Sequence, residues 1–114
     1  MGDSRRGLEF VCTPLFLASA LGRLDGEALR QVEITLLVEP RAGDVIAGAG
    51  GIRKLRAALP GRGKRGGARL VYLYIEVRGT VYMLLAYAKN AQIDLSAAEK
   101  RALRTMARQL EENG

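Results

Sequence analysis

Ala68 to Val77 (ARLVYLYIEV) and Thr80 to Ala88 (TVYMLLAYA) are apolar with almost no polar break, and they are rich in β-branched and aromatic residues. Such runs fit strands that are buried on both faces. Only Arg78-Gly79 separates them, so the spacing predicts a β-hairpin closed by a two-residue turn. A hairpin that is apolar on both faces needs cover, and helices must pack on at least one side of it.

The pattern upstream is different. From Ile52 to Leu59, Ile52, Lys54 and Arg56 fall on one face and Arg53, Leu55 and Ala57 on the other, which predicts a further strand. Leu8 to Cys12 reads as a short strand at the start of the fold. Thr13-Pro14 then opens a helix, with threonine as cap and proline at the first helical position, and the helix stops near Gly22. A second helix begins after Asp25. Leu29, Val32 and Leu36 lie on one face of it, and Glu39-Pro40 ends it, giving a helical hairpin. Gly43 to Gly51 (GDVIAGAGG) lacks the lysine and hydroxyl spacing of a phosphate-cradling loop, so it reads as a flexible lead into the next strand. Near the C-terminus, Ser96 and Glu99 have capping-box spacing. The helix they open carries Leu103, Met106, Ala107 and Leu110 as its apolar stripe, with Lys100, Arg101, Arg104 and Arg108 on a solvated face. Helices and a strand meander in this order predict an α+β domain. That domain spans residues 1–114, and the polar residues 1–7 are expected to form a disordered tail.

Composition narrows the classes. The chain has 114 residues, 48% of them apolar, which suits one globular core and not a disordered chain. Histidine is absent, which excludes His-ligated metal sites and Ser-His or Cys-His nucleophile pairs. The single cysteine, Cys12, sits in an apolar run and reads as a small buried hydrophobe. No apolar stretch is long enough to span a membrane, and no signal-type segment comes after the polar start, so the expected location is the cytoplasm.

Charge changes the picture most. Between Asp44 and Glu76 there is no carboxylate, yet Arg53, Lys54, Arg56, Arg62, Lys64, Arg65 and Arg69 all lie there, more positive charge than the whole chain's net +6. Four of them, with four glycines, fall in the loop GRGKRGGAR. A solvated loop, a phosphate grip, a phosphodiester-cleaving site and a docking surface for an acidic protein are the competing readings. Arg53, Lys54, Arg56 and Arg69 lie in or beside strands, which fixes their positions and favours a built site whose charge selects phosphate. Cleavage there is compatible with the absence of histidine. RNA carries its own nucleophile, the 2′-OH; arginine and lysine neutralise the developing charge. A lysine crowded by other cations has a lowered pKa and can transfer protons. With no carboxylates to hold ions, a two-metal mechanism is not expected, and no cofactor is implied.

The run GDVIAGAGGIRKLR, then PGRGKRGGARLVYLY, VYMLLAYAKN and DLSAAEKRAL resembles the HigB branch of the RelE-like toxins of type II toxin–antitoxin pairs, over roughly Pro40 to Leu103. GRGKRGGAR before a hairpin that ends in A-K-N is its most specific part. The resemblance implies a compact α+β fold, an antiparallel sheet with two N-terminal helices and a C-terminal helix. It implies a ribosome-dependent mRNA endoribonuclease that inhibits translation. It further implies a helix-turn-helix, HigA-like antitoxin that binds the toxin and through which alone the toxin meets operator DNA. Carried over by position, Arg69, Lys64, Lys89 and Arg56 are the catalytic candidates. Arg53, Lys54, Arg62, Arg65 and Asn90 are the RNA-binding ones. Arg69 and Lys89 lie at the open end of the hairpin, opposite its turn. One departure is visible: Ala91 stands where the family often has Glu after K-N. The alternative is a basic nucleic-acid-binding module without cleavage, or an inactive toxin homologue acting in operon regulation.

Overall fold

The computed structural model describes residues 8–22, 24–57, 68–88 and 96–113. The expected tail at residues 1–7 and the basic loop at 60–67 lie outside them. The elements run β1 (Glu9–Cys12), α1 (Pro14–Ala20), α2 (Gly26–Val38), β2 (Asp44–Val45), β3 (Arg53–Ala57), β4 (Ala68–Ile75), β5 (Thr80–Ala88) and α3 (Ala97–Asn113). This is the α+β class that the pattern predicts.

The strands form one sheet in the order β1-β5-β4-β3-β2. β3 to β5 are the antiparallel meander that the pattern predicts, and β2, from the segment expected to be a flexible lead, extends it in the same antiparallel sense. β1 departs from the all-antiparallel expectation: it joins the outer edge of β5 in parallel, Glu9 beside Thr80 and Cys12 beside Met83. Thr13, the next residue, fixes this pairing. It donates its N–H to the Met83 carbonyl (3.1 Å), and its hydroxyl donates to the same oxygen (3.0 Å) while accepting the Phe16 N–H (3.1 Å). One side chain thus ends β1, starts α1 and docks both on β5. Ser19 adds a second tie, its hydroxyl accepting the Ala86 N–H at 2.9 Å.

Helices cover both faces of the sheet. α1 and α2 place Phe16, Val32 and Leu36 on one side, over Leu70, Tyr72, Val81 and Met83. Leu103 and Ala107 of α3 cover the other, over Val71, Leu73, Tyr82 and Leu84. Truncating fully buried side chains such as Leu36 or Leu84 would cost about 2–5 kcal/mol each.

β5 carries one extra residue. Val71 pairs with Leu85 but Tyr72 pairs with Met83, so Leu84 has no partner of its own. A bulge of this kind inverts the alternation of a strand. Tyr82 and Leu84 therefore face α3, and so do Leu85 and Tyr87 beyond the bulge. The hairpin turn also differs from the two-residue expectation. β4 ends at Ile75, a 3-10 turn covers Glu76–Arg78, and Gly79 closes it in the left-handed conformation at φ 61°. Arg78 explains the tighter coil: its guanidinium donates to the Leu110 carbonyl (2.6 Å) and to that of Glu111, holding the turn against the end of α3.

The glycine-rich segment is structured. It supplies the two residues of β2 and buries Ile46 and Ala49 in the α3-side core. Gly43 sits where a Cβ would lie 2.6 Å from the Lys54 carbonyl and 2.8 Å from the Tyr72 ring. Its N–H donates to the Tyr72 hydroxyl (2.9 Å), which donates in turn to the Pro40 carbonyl (2.8 Å). Arg104 of α3, whose helical position predicts a solvated face, donates to the Gly48 carbonyl at 3.1 Å.

Candidate functional site

Register decides which cations meet. Arg56 on β3 stands opposite Arg69 on β4, and Arg69 stands opposite Tyr87 on β5. Residues directly opposite across strands share a face. Arg56, Arg69 and Tyr87 therefore form one row across three strands, on the face that α3 packs against. Arg56 is exposed; Arg69 and Tyr87 are half-buried. The next position outward in each strand is alanine: Ala57, Ala68 and Ala88 stand abreast. In the chain, the basic segment lies between Ala57 and Ala68, and Lys89 follows Ala88.

Like charges set directly opposite on a sheet destabilise it. Among the described residues neither Arg56 nor Arg69 has an ion-pair partner; the ion pair between Arg41 and Glu76, at 2.5 Å, lies outside their row. The Arg69 Nε atom is buried and has no hydrogen-bond acceptor among the described residues. An unmet buried donor on a cation is costly to keep without a ligand. Burial pushes the Tyr87 phenol above its usual range, against the opposing pull of the Arg69 charge. Tyr87 is therefore a neutral hydroxyl at neutral pH, able to donate beside a guanidinium.

The other candidates divide. Lys54 lies on the same face as Arg56, two residues along β3, exposed, with Asp44 opposite it on β2. The carboxylate-free stretch of sequence is thus met by an acid in space at Lys54, but not in the Arg56–Arg69 row. Arg53 is turned to the other face, as the alternation along β3 predicts. Its guanidinium donates to the Gly43 carbonyl (2.7 Å) and the Arg41 carbonyl (3.3 Å), so it braces the loop between α2 and β2. Arg62, Lys64, Arg65, Lys89 and Asn90, together with Ala91, lie outside the described residues. Tyr87 is not found by sequence pattern, because simple alternation from Val81 and Met83 sends it to the α1 side, and only the bulge brings it to Arg69. Among the described residues no cluster of three or more His, Cys, Asp or Glu is placed to hold a metal. No described helix is long and apolar enough to cross a membrane.

A family model described as the RelE toxin of the RelE/RelB toxin–antitoxin system matches residues 37–113, from the end of α2 through α3. The chain belongs to the RelE toxin family. The matched span contains the whole Arg56–Arg69–Tyr87 row, and leaves β1, α1 and most of α2 outside it. Solved RelE structures share the fold. An arginine-to-alanine double mutant of the E. coli toxin RelE in the free state superposes with a TM-score of 0.56 at 17% identity, over 88% of this chain and 96% of that one. The isolated E. coli RelE toxin gives 0.52 at 19% identity, over 88% and 99%. The toxin–antitoxin complex RelBE of E. coli gives 0.54 at 20% identity, over 75% and 100%. At these identities the likeness is one of fold.

Proposed function

We propose that this RelE-family chain is the toxin of a type II pair, of the HigB branch, and that it cleaves mRNA on the ribosome. The observation that carries the reading is the Arg56–Arg69 pair: two cations opposed on rigid strands, without an acid in their row, with a buried guanidinium N–H that no atom of the described residues accepts. A bridging phosphate satisfies both, since it accepts from two forks at once.

The reaction this arrangement supports needs no metal. The 2′-oxygen attacks the adjacent phosphorus as its proton is taken by a base. The bond from phosphorus to the 5′-oxygen breaks, and that oxygen receives a proton. The products are a 2′,3′-cyclic phosphate and a 5′-hydroxyl. Arg56 and Arg69 neutralise the phosphorane. Lys64 and Lys89 are the proposed proton-transfer groups. Lys54, Arg62, Arg65 and Asn90 are proposed to hold RNA backbone. Arg53 is left with its bracing role. A cationic site has few groups for acid–base work at neutral pH, so positioning of the mRNA by the ribosome supplies much of the barrier reduction.

The reading carries a cytoplasmic location, a single toxin domain, and a helix-turn-helix antitoxin through which operator DNA is met. The test is induced expression in a bacterium lacking any antitoxin, with mRNA mapped on and off ribosomes. Growth arrest with cuts confined to translated mRNA is expected. A folded chain that binds ribosomes without cutting or arresting growth would establish the non-catalytic alternative, which Ala91 in place of the family's frequent Glu keeps in view.

A further inference from the structure

The pattern of α3 assigns Lys100, Arg101, Arg104 and Arg108 to one solvated face, but the structure divides them. α3 turns Leu103 and Ala107 into the core. Arg101, two residues before Leu103, lies on the opposite side of the helix. Lys100 and Arg104 lie on the flank that meets the loop between β2 and β3. A Cβ on Gly48 would come 3.8 Å from the Lys100 side chain, and one on Gly50 would come 3.3 Å from that of Arg104. Arg104 is tied there by its bond to the Gly48 carbonyl. The same loop leads through buried Ile52 into β3, where Lys54 and Arg56 are exposed on the face that α3 covers.

The charge on this flank is unbalanced. Lys100, Arg104 and Arg108 recur at every fourth residue, and like charges at that spacing destabilise a helix. Among the described residues neither Lys100 nor Arg104 has a carboxylate partner; the ion pair is that of Arg41 with Glu76. The acids of α3 are placed elsewhere. Glu99 is closed in the capping box with Ser96, at 2.8 and 3.0 Å, and Glu111 and Glu112 follow Leu110. On β3 only Lys54 has an acid opposite it, Asp44.

We infer that Lys100 and Arg104 form a second phosphate subsite, which together with Lys54 carries the backbone of a single RNA strand on from the Arg56–Arg69 row. The inference rests on the reading of that row as a phosphate site. Continuity selects the occupant. Lys54 and Arg56 are two residues apart on one strand, so their positions are about 7 Å apart. That is close to the step between successive phosphates of an extended strand, and a cationic groove that tracks such a backbone is the usual device for single strands. The glycines at 48, 50 and 51 have φ of 79°, 74° and 95°, so the loop beside the two α3 cations carries no side chain at these positions. Two cations fixed against a bare loop, next to a strand of the same sign, guide a chain of phosphates and leave the bases unread.

The experiment measures binding of the full chain to an RNA strand of about twelve nucleotides, methylated at its 2′-oxygens so that it cannot be cleaved. Lys100→Gln and Arg104→Gln each remove one charge, and Gln at 104 can still donate to the Gly48 carbonyl. Arg30→Gln removes one exposed charge from α2, on the other face of the sheet. Each α3 variant should lower the slope of log affinity against log salt by about 0.7, and the two together should weaken binding about tenfold at low salt. Arg30→Gln should leave the slope unchanged. Equal slopes in the α3 variants and the unaltered chain would overturn the inference, and so would an equal drop in Arg30→Gln, which would reduce the effect to net charge. Loss of binding to phosphatidylserine vesicles in the α3 variants, with RNA binding intact, would assign the flank to a membrane surface instead. Growth arrest by the unaltered chain is read separately. Arrest with RNA binding unchanged in the variants fails this inference alone; the expected slopes without arrest fail the toxin reading alone.

Discussion

Arg56 and Arg69 stand opposite each other on adjacent antiparallel strands, with no carboxylate in their row and with one buried N–H of Arg69 unmet among the described residues. A cross-strand pair of like charges destabilises a sheet. The fold carries this cost on its rigid central strand, where a loop would have been the cheaper place for charge.

Removing Arg69 should therefore separate stability from activity. Arg69→Ala is expected to leave the thermal midpoint unchanged or raise it by a few degrees, because the repulsion and the orphaned donor disappear together. Growth arrest and mRNA cleavage should be lost. Thermal melts beside growth curves check both halves. Full toxicity in the folded variant would refute the assignment of this row as the site.

Much of this is legible in the sequence. The hairpin, the Thr13-Pro14 and Ser96–Glu99 helix starts, and the separation of Arg53 from Arg56 all come from local rules of period and capping. Two things do not. The bulge at Leu84 has no sequence signature within an unbroken apolar run, yet it decides that Tyr87 faces Arg69. The parallel pairing of β1 depends on a tie between Thr13 and Met83, residues distant in the chain, which no local pattern encodes. The glycine-rich segment looks flexible in sequence because glycine is permissive. At Gly43 it is there for the opposite reason: the Tyr72 ring and the Lys54 carbonyl leave no room for a side chain.

That close approach gives a second prediction. Gly43→Ala places a methyl group against backbone and a buried ring, and overpacking of this kind costs about 1–3 kcal/mol. The loop that Gly43 begins is also the one that Arg53 braces through the Gly43 carbonyl. Denaturant unfolding should show the loss, with the ribosome affinity of the folded fraction retained. An unchanged midpoint would mean that the loop shifts freely, and the role given to Tyr72 would then be too large.

Tyr72 supplies the third. Burial pushes its phenol up, against the smaller opposing effects of the Gly43 N–H and the Arg53 charge; Tyr87 is pushed up by burial as well. The folded chain holds these protons more tightly than the unfolded chain does. Their contribution is complete below the ordinary tyrosine value of about 10 and is lost as the pH rises above it. Stability should be flat through neutral pH and fall on the alkaline side. Tyr72→Phe should lose about 1–3 kcal/mol at pH 7, since the buried Gly43 N–H loses its acceptor, but show a shallower alkaline decline. Parallel slopes for the two proteins on the alkaline side would remove Tyr72 as a cause.

Tyr87 separates binding from chemistry. Its ring packs against the α3-side core, and its hydroxyl belongs to the same row as the two arginines. Tyr87→Phe keeps the ring, so stability and ribosome affinity should change little. What is lost is a neutral donor, one that stays protonated beside Arg69 because burial outweighs the pull of that charge. If the donor meets charge as it develops on the phosphorane, single-turnover cleavage should slow by about 10²-fold, the usual scale for one preorganised donor. Tyr87→Ala should destabilise the protein as well, because the packing goes with the hydroxyl. A Phe variant that cleaves at the full rate would leave Tyr87 as a wall of the site, and the chemistry would then fall to Arg56, Arg69 and the lysines of the neighbouring loop and strand end.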